Sequence, residues 1–197
     1  MKLVYFSCVL ASMWAIAACQ TEQEKTSTPS PVMSSVHKEG GVGQPESESP
    51  EYSGARDATM ALQQEVLIYV NEARSQTCLC GTTVYPPVPA LTLNSRLNGA
   101  ADKYAVDMAT YNYFSHTGRD GSQPWDRMTR EGYIWTSAGE NIAAGYPTAR
   151  SVVDAWLSSP GHCQNIMNPY FQNLGVGYAY NASSTYKHYW VNDFGRK

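Results

Sequence analysis

The chain has 197 residues, of which 43% are hydrophobic and 16% charged, with a formal net charge of -3; this suits one medium-sized soluble domain plus extra material and excludes a multidomain assembly. The deficit lies in residues 1–55, which hold three lysines against six glutamates, whereas residues 56–197 balance 11 basic against 11 acidic groups. A neutral folded part offers no electrostatic footprint for nucleic acid and no broad basic face for anionic lipid, so no nucleic-acid partner is expected.

Lys2 followed by 15 uncharged apolar residues, Leu3 to Ala17, reads as a secretory signal. The run falls short of the about 20 residues that a membrane-spanning helix requires. It ends in Ile16-Ala17-Ala18-Cys19, which resembles the bacterial lipoprotein box. That resemblance implies removal of residues 1–18, lipidation of Cys19 and an extracytoplasmic protein held to the bacterial membrane by a lipid anchor. Stable anchoring takes more than one acyl chain, and the usual diacylglycerol plus N-acyl group supplies that. Gln20 in place of an aspartate points to the outer membrane where the organism has one. An ordinary cleaved signal with an incidental cysteine is the alternative.

Residues 20–55 contain one aromatic residue, Tyr52, and 18 of these 36 residues are Ser, Thr, Pro or Gly. Such a segment cannot build a core. The stretch 19–55 is read as an acidic tether, spanning about 30 to 36 Å on average as a flexible coil. His37 is expected to be solvated within it.

The folded part is expected over residues 56–197. Leu62, Val66, Tyr69 or Val70, and Ala73 fall on one helical stripe between Ala58 and Ser75, and Leu93, Leu97, Ala101, Tyr104, Met108 and Tyr111 on a second. The intervening Tyr85-Pro-Pro-Val-Pro-Ala90 blocks helix and favours extended backbone. Ser122-Gln-Pro124 caps a short helix through Arg130, and Thr148 caps another through Leu157, halted by Pro160. From Leu174 the period changes to two, with Gly175, Gly177 and Ala179 leaving one side of a strand bare. After a turn at 181–185, Tyr186 to Phe194 form a second strand with Tyr186, His188 and Trp190 on one face and Tyr189 and Val191 on the other. Helices around a mainly antiparallel sheet make an α+β domain of three layers.

Five cysteines divide by fate. Cys8 leaves with the signal and Cys19 takes the lipid, so Cys78, Cys80 and Cys163 face an oxidising compartment. Cys78 and Cys80 are too close in sequence to bridge each other without strain, so one of them pairs with Cys163, with Cys80 favoured. The bridge would close a loop of more than 80 residues, worth about 4 to 5 kcal/mol by chain entropy. A zinc site from Cys78, Cys80, His162 and Cys163 competes with this, although Cys-x-Cys is not the usual ligand spacing.

Three polar stretches exceed what packing demands: Phe114-Ser115-His116-Thr117, Gly139-Glu140-Asn141-Ile142 and Ser159-Pro160-Gly161-His162. Each lies beside Gly or Pro and is placed in a loop or at a helix end. Brought together, His116, Glu140 and His162 could bind a divalent metal such as zinc with a fourth position left for water, or act as an acid–base pair. Against this stands the ordinary role of a lone histidine in capping or hydrogen-bonded packing. No Gly-x-Ser-x-Gly elbow or His-Glu-x-x-His motif is present. Trp156, Trp190, Phe114 and Tyr104 are expected as core anchors, Asn141 and Asn165 as partners of loop backbone, and His188 as packed or half-exposed.

The order Phe114-Ser115-His116, Gly139-Glu140-Asn141-Ile142-Ala143, Trp156, Ser159-Pro160-Gly161-His162, Asn165-Ile166-Met167-Asn168-Pro169, Leu174-Gly175-Val176-Gly177, and Tyr189-Trp190 with Asp193-Phe194-Gly195 resembles bacterial members of the CAP superfamily: the cysteine-rich secretory, antigen 5 and pathogenesis-related proteins, or SCP domains. The resemblance spans about residues 60 to 195 and implies an α-β-α sandwich with a central cleft. In that family the cleft carries two His and two Glu, able in some members to hold a divalent metal. His116, Glu140 and His162 match the motif, but Ser159 stands where the second glutamate belongs, which weakens a four-ligand metal site. Asp154 lies on a different helical face from that position and does not replace it. The expected function is a ligand-binding module whose His/Glu cleft takes a small ligand, lipid or envelope component. The rival is a metal-dependent hydrolase acting on peptide or cell-wall material, with His116 and His162 as ligands and Glu140 as ligand or general base. A third reading makes the three residues a structural hydrogen-bond network.

Overall fold

A computed structural model describes residues 50–197, with side chains from Thr59 onward. The signal, Cys19, His37 and the tether up to residue 49 lie outside the described residues. Helix α1 (Pro50–Arg74) begins earlier than the apolar stripe requires and takes in residues 50–55 of the expected tether. Pro50 occupies the first helical position, where its missing N–H costs nothing. Val66, Val70 and Ala73 of the stripe are buried, with Leu62 and Tyr69 packed beside them.

Strands β1 (Cys78–Cys80) and β2 (Thr83–Tyr85) form a small antiparallel hairpin, followed by the extended proline-rich segment. The Arg74 side chain, wholly buried, gathers this segment onto the helices. Its guanidinium donates to the carbonyls of Pro89 (2.7 Å), Ile166 (2.5 Å) and Asn168 (3.0 Å). Burial lowers its pKa to about 10, so it remains a cation at neutral pH. The disulfide joins Cys80 to Cys163 across 83 residues, tying β1 to the helix after Pro160.

Leu93 does not join the second helix. It belongs to β3 (Thr92–Leu93), because Asn94 breaks the helical run by capping α2 (Ser95–Tyr111), accepting from the Arg96 and Leu97 N–H groups. Helix α3 (Pro124–Arg130) follows the expected Pro-led start, with Gln123 and Asp126 forming a reciprocal cap. Helix α4 (Ala149–Ser158) is capped by Thr148. Pro160 ends that run and also opens a further short helix, α5 (Pro160–Ile166).

The main sheet has strand order β3-β5-β6-β4. Strand β4 (Ser137–Ala144) carries the Gly-Glu-Asn stretch, which thus lies in neither a loop nor a helix end; polar residues at its buried positions conceal the period-two pattern. Strands β5 (Asn173–Tyr180) and β6 (His188–Arg196) pair antiparallel, as do β4 and β6, whereas β3 pairs parallel with β5. Tyr186 falls outside β6 because the chain turns through a left-handed Lys187 (φ 64) before pairing begins.

Alternation along β5 and β6 divides the core. Leu174, Val176, Trp190 and Phe194 pack with α1, α4 and α5. Ala179, Tyr189 and Val191 face α2. The three-layer α-β-α expectation therefore describes the fold, with the sheet partly mixed. The bare side of β5 has a steric cause. A Cβ on Gly175 would lie 2.3 Å from the Leu97 carbonyl carbon, and one on Gly177 2.1 Å from that of Ala101.

This close approach lets side chains continue the edge where the two-residue β3 stops. The Val176 N–H donates to Asn98 Oδ1 (3.0 Å), Gln63 Nε2 donates to the Val176 carbonyl (3.0 Å), and the Tyr178 N–H donates to Asp102 Oδ1 (3.4 Å). Burial raises the Asp102 pKa to about 6 against the lowering effect of the Tyr178 and Gln63 hydrogen bonds.

Gly177→Ala should lower the unfolding free energy by about 3 kcal/mol or more through this backbone clash. Gly161→Ala, whose added Cβ meets nothing within 4 Å, should stay within about 1 kcal/mol of the parent, since alanine is the better helix former. Urea denaturation of both variants measures the difference.

Candidate functional site

The site forms where the loop after α2 reaches the free edge of β4. Glu140 points from β4 toward the α2 and α3 side, and its side chain is only 1% exposed. A buried carboxylate needs partners on both oxygens. Oε1 accepts from His116 Nδ1 (2.7 Å) and Oε2 from the Arg127 guanidinium (2.6 Å). Arg127 also donates to the carbonyls of Ser122 (3.0 Å) and His116 (3.1 Å) and lies 3.4 Å over the Tyr104 ring. The Tyr104 hydroxyl donates to the Ser115 carbonyl. Helix α2, helix α3 and the His116 loop are thus fastened to one strand residue.

Asp193 stands opposite Glu140 across the β4–β6 ladder and is buried. Burial, reinforced by the negative charge of Glu140, pushes it well above the usual carboxylate range despite Arg127. Among the described residues, Asp193 Oδ1 and the side-chain amide of neighbouring Asn192 have no hydrogen-bond partner.

His162 approaches the same strand edge from α5 on the other side of the sheet. Its pKa is lowered, first by burial and then by His116. Of the motif residues, His116 and Glu140 are in direct contact, and His162 lies on α5 with its carbonyl held by Asn141 of β4. Beside His162 lies a cavity of about 300 Å³ with Phe114, Ile142, Tyr146, Trp156 and Tyr186 on its walls. Phe114 is consequently not the core anchor expected of it: it is 44% exposed and rests on Tyr186, ring centroids 6.0 Å apart.

Tyr104, Trp156 and Trp190 are buried as expected, and the two indoles donate to the carbonyls of Ile142 (3.3 Å) and Tyr146 (2.7 Å). Asn141 donates to the His162 carbonyl (3.0 Å), and Asn165 donates to the Glu140 carbonyl (3.3 Å) and to Asn141 Oδ1 (2.8 Å). These two amides set α5 against β4. His188 packs between Tyr178, whose hydroxyl is 2.8 Å from its Nδ1, and Tyr180.

The donor set does not fit a metal held by three residues. Both oxygens of Glu140 are engaged, Ser159 brings no charge, and among the described residues no group of three His, Cys, Asp or Glu side chains could hold an ion. The Cys78, Cys80, His162 and Cys163 zinc alternative is removed by the disulfide that Cys163 makes. Asp154 instead pairs with Arg150 at 3.0 Å. Among the described residues no serine hydroxyl is hydrogen-bonded to His116 or His162: the Ser115 hydroxyl accepts from the Thr117 N–H (3.0 Å), and His116 Nδ1 is held by Glu140.

Arg127 was not singled out from the sequence. Its signal is positional: Pro124, Arg127 and Met128 form the buried face of α3, so an arginine lies on an apolar stripe and must find a buried anion. Asp193 is similarly placed on an inward strand position next to Phe194.

The depressed pKa of His162 has a signed consequence. Its neutral form is favoured by folding, so its contribution is fully present above the ordinary value of 6.5 and is lost as pH falls through the lower folded value. Denaturation across this range should show stability declining on acidification, and His162→Gln should flatten that part of the profile.

Comparison with known proteins agrees with this architecture. Residues 67–194 match the model of the cysteine-rich secretory protein family, CAP. Protein YkwD of Bacillus subtilis (strain 168) is 31% identical over 160 residues, covering 81% of this chain and 62% of that protein. The membrane protein YlbC of the same organism is 39% identical over 75 residues, 38% of this chain and 21% of its own length. The chain thus spans less than two thirds of either relative. A crystal structure of an extracellular SCP-domain protein from Bacillus anthracis superposes with a TM-score of 0.60 at 27% identity, covering 78% of this chain and 45% of that one. An outer surface protein from Borrelia burgdorferi shares the fold, with a TM-score of 0.52 at 18% identity over 79% and 99% of the two chains. The chain belongs to the CAP, or cysteine-rich secretory protein, family.

Proposed function

We propose that this CAP domain is an extracytoplasmic binding module whose cleft takes a small amphiphilic ligand, a lipid or other envelope component. The observation that carries the reading is the composition of the cavity beside His162. Aromatic and aliphatic walls would bury an apolar body, while the imidazole offers one polar contact at its end. His116, oriented by Glu140, would present Nε2 as a second polar contact. The engaged state of Glu140 and the absence of an activated nucleophile among the described residues favour binding over turnover.

Octanoate is a suitable probe, with an apolar chain and a hydrogen-bonding head. Isothermal titration of the full chain should show saturable binding that His162→Ala weakens by about tenfold, the loss of one charge-assisted contact. Tyr186→Ala should weaken octanoate and octanol alike. Zinc-dependent cleavage of peptide or cell-wall material that disappears in His116→Ala and His162→Ala would overturn the binding reading in favour of a metal-dependent hydrolase.

The module is further proposed to be lipid-anchored at Cys19, on the outer membrane where one exists. No helix among the described residues is long and apolar enough to cross a membrane, and the lipoprotein-box resemblance supplies the attachment point. Radiolabelled palmitate fed to expressing cells should enter the protein and be lost in Cys19→Ser. Equal labelling of the variant, or none in the parent, would refute the anchor.

A further inference from the structure

A second, larger cavity of about 480 Å³ lies on the α2–α3 side of Arg127, apart from the His162 cavity. Residues Ala100, Lys103, Tyr104, Asp107 and Tyr111 of α2 supply one wall, the i, i+3, i+4 spacing that keeps them on one helix face. The loop from Gly118 to Ser122 and the side chains of α3 supply the other.

Most charges around this cavity are internally matched. Lys103 pairs with Glu131 at 2.6 Å, Arg130 with Asp120 at 2.6 Å, and Arg127 with Glu140 at 2.6 Å. Two lining groups have no ion pair among the described residues: the guanidinium of Arg119 and the carboxylate of Asp107. Both are nevertheless held. Arg119 stacks 3.5 Å over the Tyr111 ring, a contact that restrains the side chain while leaving its N–H donors free. Asp107 accepts a hydrogen bond from the Tyr113 hydroxyl. Burial, then that bond to Asp107, raises the Tyr113 pKa, so the phenol remains the donor and Asp107 the acceptor.

Asp107 and Tyr111 are four residues apart on α2, about 5 to 6 Å between their Cβ atoms. The unmatched cation, resting on Tyr111, and the unmatched anion therefore flank a single turn of helix inside one cavity. A simple anion entering it would meet the Asp107 charge, and a simple cation that of Arg119. A ligand with both charges matches both groups, and pre-held partners reduce the ordering cost of binding.

We infer that this cavity is a second binding site, taking zwitterionic amino acids or short peptides through Arg119 on the carboxylate and Asp107 on the ammonium group. Among the described residues neither Arg119 nor Asp107 bonds to His116, Glu140 or His162, so substitutions at these two positions probe this cavity without removing a cleft residue.

Dialanine is the probe, titrated into the full chain by NMR, with N-acetyl-dialanine amide as the uncharged counterpart. Saturable dialanine binding is expected, with shifts centred on Tyr111 and the 118–122 loop. Arg119→Gln and Asp107→Asn should each weaken it about tenfold. The isosteric amide of Asp107→Asn can keep the Tyr113 contact, and thermal melting of both variants verifies that they fold. The blocked peptide should not bind. No saturation at millimolar dialanine, equal binding of free and blocked peptide, or binding unchanged in both folded variants would overturn the inference.

Discussion

One buried carboxylate, that of Glu140, sets the geometry of the face around His116. Glu140 projects from an edge strand into a nearly dry environment, where an unpaired charge is untenable. Its two oxygens draw in Arg127 from α3 and His116 from the loop after α2. Arg127 in turn fixes the backbone at Ser122 and His116 and stacks on Tyr104 of α2. Removing one partner of such a pair typically costs about 3 to 5 kcal/mol, because the remaining charge is stranded. A carboxylate committed in this way orients neighbours and has little freedom to serve as a mobile base.

The same arrangement divides two kinds of surface. On the β4 and α5 side, Phe114, Tyr146, Trp156 and Tyr186 surround an apolar cavity beside His162. Across Arg127, the charged face of α2 and the 118–122 loop surround a cavity of mixed sign. Both depend on how closely α2 lies against the sheet. Gly175 and Gly177 permit that approach, and Asn98, Asp102 and Gln63 then satisfy the backbone of β5 beyond the short β3.

Much of this was legible in the sequence, and the failures have physical causes. Stripes of apolar residues located the bodies of α1 and α2, and the glycine alternation located β5 and its bare face. Strand β4 was unreadable as a strand because its inward positions hold Glu140 and Asn141, whose burial is stabilised by residues far away in sequence. Pro160 reads equally as a stop and as a first helical residue, so α5 was hidden. His116, Glu140 and His162 were identified through ordered motifs, whereas Arg127 was missed because its role exists only once α3 packs on β4. Phe114 illustrates the reverse error: aromatic character suggested the core, but the chain places it at the cleft rim.

The orientation of His116 is the most direct test of this account. With Glu140 as acceptor, the neutral imidazole must carry its proton on Nδ1 and leave Nε2 unprotonated. Nitrogen-15 NMR of the histidine rings, recorded at a pH where His116 is neutral, distinguishes the two tautomers. The Nδ1–H form is expected in the parent, and its loss of dominance in Glu140→Ala. An Nε2–H form in the parent, or a tautomer indifferent to Glu140, would contradict it.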